Sequence, residues 1–176
     1  MTAELSEPAD PTSWGPAREK TVRWHDPGPS TALGLSMAGV DYLNANIDGT
    51  LPPPPIAGLM QFELAAADPG RVVFTCRPDE SAYNPIGAIH GGLVCTLLDS
   101  VLGCAMHSML PKGRGYTSVE IKVNYLKPVR LSSGLLTAIG TVVKSGARVG
   151  LTEGSVTDAS GAVVATASST LLVFDL

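Results

Sequence analysis

Apolar residues recur at two different periods along this chain, and the switches between them predict its elements. Around 60–64, Met60, Phe62 and Leu64 alternate with Gln61 and Glu63, the pattern of a half-buried strand. Residues 71–77 read as a second strand, and Asp68-Pro69-Gly70 between the two predicts a hairpin. From Gly91 the period lengthens to that of a helix. Leu93, Val94, Leu97, Val101, Cys104 and Ala105 fall on one side when placed at about 100° per residue. The other side carries Gly92, Cys95, Thr96, Asp99, Gly103 and Met106, mostly small residues around a single carboxylate. Pro111 and Gly113 end this buried helix. Alternation returns over 116–126, which places Val119, Ile121, Val123 and Tyr125 on one face and Glu120, Lys122 and Asn124 on the other. Three further strands, 135–144, 148–157 and 163–174, are separated by Ser145-Gly146 and by a second turn at 158–161. Six clustered strands and one long helix predict an α+β domain whose antiparallel six-stranded sheet wraps a single apolar helix.

The domain is expected over residues 36–176, with 1–35 a loosely ordered N-terminal extension rich in Pro, Ser, Ala and charge. Trp24 in that extension is expected to pin the tail to the body. Residues 38–47 suggest a short amphipathic helix, stopped by Gly49, and prolines 52–55 a stiff extended connector.

A length of 176 residues with 44% hydrophobic content can bury a core without disulfides. Net charge is −4 and the twelve Lys and Arg are scattered, which argues against a nucleic-acid surface. Cys76, Cys95 and Cys104 form no C-x-x-C, so no disulfide framework, metal site or bound cofactor is expected. The N-terminal stretch carries Glu4, Glu7 and Asp10 without an apolar run, and no segment reaches transmembrane length. A cytoplasmic protein with no membrane partner is the expectation.

The chemistry concentrates in residues 84–99, N-P-I-G-A-I-H-G-G-L-V-C-T-L-L-D. A helix that opens on Gly91-Gly92 offers backbone N–H groups to an oxyanion without interference from side chains. Asp99 in mid-helix, flanked by leucines, is costly to bury unless paired or used. This string, followed by T-S-x-E-x-K-x-N-Y-x-K-P over 117–128, resembles the hotdog-fold acyl-CoA thioesterases, and among them the PaaI-type branch of phenylacetic acid degradation. The resemblance covers roughly residues 52–174.

It implies a hotdog fold and hydrolysis of an acyl-CoA to a free acid and coenzyme A. It also implies a homodimer with active sites shared between subunits, assembled as a dimer of dimers. Asp99 would be the nucleophile or general base, and the Gly91 amide the oxyanion donor. Asn84 would position the thioester or water, with His90 in support and Ser118 orienting water or Asp99. Gly92 and Thr117 would flank the substrate, and Arg148 would meet the phosphates of coenzyme A, ahead of Lys127 or Arg130. Cys95 lacks a His partner at a suitable spacing and is not expected to be a nucleophile. His107, at the helix end, reads as a partly charged cap. The alternative reading is a non-catalytic hotdog module that senses acyl-CoA.

Overall fold

The long helix α4 (Gly91–His107) is the axis on which the chain is built. Its first turn is capped by His90, whose side chain accepts from the Gly92 N–H. Leu97, Leu98, Val101, Leu102, Ala105 and Met106 are all fully buried. Each large apolar side chain so buried contributes about 1.5–3 kcal/mol. The structure is a computed structural model and describes residues 11–176. Glu4, Glu7 and Asp10 of the expected extension lie outside the described residues.

Six strands curl around this helix: β1 (Phe62–Asp68), β2 (Arg71–Cys76), β3 (Arg114–Tyr125), β4 (Leu136–Ser145), β5 (Val149–Thr157) and β6 (Val163–Asp175). They form one antiparallel sheet in the order β1-β2-β4-β5-β6-β3. The helix presses closely into the sheet because two glycines, Gly140 of β4 and Gly154 of β5, face each other in register beneath it. A Cβ on Gly140 would stand 2.5 Å from the Val101 carbonyl oxygen, and one on Gly154 3.0 Å from Leu102 Cδ2.

β3 departs from simple alternation. Ser118 pairs with Leu171 and Glu120 with Thr170, so Val119 is an extra residue, a β-bulge. Val119 therefore points away from the core and is 64% exposed, where sequence alternation had placed it on one face with Ile121, Val123 and Tyr125.

Three helices precede or roof the sheet. α1 (Pro27–Gly34) lies inside the stretch expected to be loosely ordered; Asp26 caps it by accepting from the Gly28 N–H, and Pro27 opens it. α2 (Gly39–Ile47) matches expectation. α3 (Pro55–Met60) does not, since only the residues up to Pro54 remain extended. It stops at Gln61, which adopts φ 56°, and the strand then starts at Phe62 and not at Met60. Ahead of α1 the chain is tied down by ion pairs from Arg18 to Glu80 and from Lys20 to Asp79, the latter at 3.4 Å. Further along, the Arg23 carbonyl lies against Gly58 of α3. Trp24 belongs to this segment, but its ring is 64% exposed.

Candidate active site

The start of α4 is held from three sides. His90 Nδ1 accepts from the Gly92 N–H at 2.8 Å. The Tyr125 hydroxyl donates to the Gly91 carbonyl at 2.9 Å, and its ring fills the place where a Gly91 Cβ would sit. The preceding loop is organised by Asn84, whose Oδ1 accepts from the Ile86 and Ala88 N–H groups at 3.1 and 3.0 Å. Asn84 is thus a loop organiser through its oxygen, and its amide nitrogen makes no hydrogen bond among the described residues. Asn84, Gly91, Tyr125 and Lys127 line one cleft of about 290 Å³.

Asp99 lies two turns further along. Its side chain is exposed rather than buried, and Oδ1 accepts from the Ser118 hydroxyl at 2.8 Å. Ser118 reaches it because β3 runs beside α4 and the bulge follows immediately. Asp99 and Ser118 stand at one side of a second cavity, of about 480 Å³, under α2, α3 and β1. Leu43, Ile47, Ile56, Ala57, Leu64 and Phe74 give that cavity an apolar lining. Tyr116 and Cys104 close its wall. Burial pushes the Cys104 thiol up to about 12 and the Tyr116 phenol well above its ordinary value, so both stay protonated.

Of the residues singled out by sequence, the structure joins Ser118 to Asp99, and His90 to Gly92. It brings Asn84 and Gly91 to one cleft, and leaves that cleft and Asp99 apart within a single chain. Thr117 is exposed on β3 opposite Leu172 and Arg148 is exposed in the β4–β5 hairpin; neither lines either cavity. Burial and the Asp99 charge push the Cys95 thiol up, which disfavours the thiolate. His107 packs between the rings of Tyr42 and Tyr116, at 5.5 and 5.6 Å, and burial lowers its pKa. Burial favours its neutral form, and tilted ring contacts stand where a partly charged cap was expected. Tyr125 was not singled out as a site residue, although it ends the strongest alternating run. Among the described residues, no cluster of three or more His, Cys, Asp or Glu is arranged to hold a metal ion, and no helix is long and apolar enough to cross a membrane.

A single helix wrapped by an antiparallel sheet of this order defines a hotdog domain. The thioesterase superfamily model matches residues 86–165. Human acyl-coenzyme A thioesterase 13 is 30% identical over 108 residues, which span 61% of this chain and 76% of that protein. A Streptococcus mutans UA159 protein solved bound to acetyl CoA is 28% identical with a TM-score of 0.60, covering 65% of this chain and 89% of its own. The Escherichia coli PaaI protein from the phenylacetic acid degradation operon shares the fold, with a TM-score of 0.68 at 19% identity over 77% of this chain and 95% of its own. This chain belongs to the thioesterase superfamily.

Proposed function

We propose that this protein is an acyl-CoA thioesterase of the PaaI type, with Asp99 as its reacting carboxylate. The observation that carries the reading is the Ser118–Asp99 hydrogen bond, 2.8 Å long, beside an apolar cavity of about 480 Å³. An acyl group in that cavity would present its thioester carbonyl to Asp99. The carboxylate acts as nucleophile or as general base to water; in either route water supplies the new oxygen and the C–S bond breaks. Coenzyme A then leaves as the thiol. Ser118, donating to one carboxylate oxygen, fixes the direction of the other. The Gly91 N–H, which has no hydrogen-bond partner among the described residues, stabilises the oxyanion. Asn84 Nδ2 is available to hold the thioester or water. No metal or other cofactor enters this scheme.

One chain does not complete the site. Gly91 and Asp99 are eight residues apart, about 12 Å along the axis at 1.5 Å per residue. A two-fold dimer resolves this. β3 is an edge strand, and long unpaired edges recruit another strand. Ser118 marks the Asp99 end of the contact with α4, and Tyr125 marks the Gly91 end; the point midway between them falls between Ile121 and Lys122. Antiparallel self-pairing about Ile121, next to that point, sets Glu120 against Lys122 of the partner subunit, an opposite-charge pair. The same rotation carries Asp99 toward Gly91 of the partner subunit, twice per dimer. Arg148, at the Arg114 end of β3, lies on the side that the partner's cleft would approach and remains our candidate for a phosphate contact.

The direct test is thiol release from a panel of aryl, medium-chain and long-chain acyl-CoAs, with and without chelator. Turnover unaffected by chelator is expected; binding of acyl-CoA without turnover would favour the sensor reading.

A further inference from the structure

We infer that Tyr125 is a positioning residue for the oxyanion donor, acting through the Gly91–Gly92 peptide; the inference rests on the reading of Gly91 as that donor. Two consecutive glycines at a helix start are conformationally loose, since neither has a Cβ to restrict φ and ψ. Left alone, this turn would fray and its first N–H would swing. The structure grips the peptide between them at both ends. Its N–H donates to His90 Nδ1 at 2.8 Å and its carbonyl accepts from the Tyr125 hydroxyl at 2.9 Å.

The ring adds a second restraint. A Cβ on Gly91 would meet Tyr125 Cζ at 3.1 Å and its hydroxyl oxygen at 3.2 Å, so the phenol occupies the space that a side chain would otherwise take. Tyr125 itself is anchored by the sheet, in register with Ala165 of β6. The consequence is selective. The Gly92 N–H is consumed by the clamp, which leaves the Gly91 N–H as the first-turn donor with a fixed direction. Burial, reinforced by Cys95, raises the phenol pKa, so the hydroxyl keeps the proton it donates across neutral pH.

Tyr125→Phe removes only the hydroxyl. It is expected to lower kcat by about tenfold, because donors misplaced by an ångström lose rates of this order or more. KM should stay within about twofold and the thermal midpoint nearly unchanged. His90→Ala, which releases the other end of the same peptide, supplies the check that a general structural role would not pass. If both residues serve one peptide, the double variant loses much less than the product of the two single losses. A double loss equal to that product would overturn the proposal, as would full kcat in Tyr125→Phe, or a raised KM with kcat intact. Wild-type protein that released no thiol from any acyl-CoA would instead bring down the thioesterase reading, and this role with it.

Discussion

The Ser118 hydroxyl donates a hydrogen bond to Asp99 Oδ1, so the carboxylate is held in one direction. That arrangement suits a base or nucleophile, and Asp99→Asn nearly preserves its shape while removing its charge. The variant should retain the fold and lose about 10²–10⁴-fold in kcat, as read by thiol release at saturating substrate. Ser118→Ala leaves the charge and removes only its orientation, so a loss nearer tenfold is expected. His107 makes a separate prediction about stability. Burial depresses its pKa below the ordinary 6.5, so in the pH interval between the two values the unfolded chain binds a proton that the folded chain does not. Its contribution is therefore complete above about pH 6.5 and is lost as pH falls through the folded value. His107→Phe keeps a ring between Tyr42 and Tyr116 and should flatten the decline of the thermal midpoint between about pH 7 and pH 5. An unchanged decline would assign the acid sensitivity to other groups.

At the level of elements, the helix and the sheet touch through the Gly140–Gly154 pair. Gly140→Ala would drive a Cβ toward the backbone oxygen of Val101, which cannot rotate away. A loss of about 1–3 kcal/mol in denaturant unfolding is expected, larger than for an alanine placed at an exposed turn glycine. Much of this architecture was legible beforehand, because the 3.6-residue period of α4 and the alternation of the strands are long and regular. The candidate site was legible only as residues: glycines before an apolar run announce the helix start that the structure shows, and a lone carboxylate on a small-residue face draws the eye to Asp99. What escaped was set by contacts between elements. The glycine pair becomes meaningful only once β4 and β5 are in register, and α3 hid behind prolines that suggest an extended chain. α1 was different, since Asp26-Pro27 is a recognisable cap and first-turn signal that composition obscured.

For the molecule as a whole, the separation of the two clefts would make the proposed dimer a matter of chemistry as well as assembly. Asp99→Ala and an Asn84→Ala chain, each expected to be inactive alone, can be mixed and allowed to exchange subunits. A mixed dimer then holds one doubly damaged and one intact site, and random exchange restores about a quarter of wild-type activity. Continued inactivity after demonstrated exchange would place both groups in one chain. The seven-residue step from Ser118 to Tyr125 bears on the same point. In an unbroken strand an odd step puts two side chains on opposite faces, yet here both reach α4, because Val119 adds one residue without a partner. Val119 sets the phase of the strand as an inserted letter sets a reading frame. Deleting it would leave every proposed site residue in the chain while turning either Ser118 or Tyr125 away from the helix. On the proposed reading, function hangs on a residue that itself need touch no substrate.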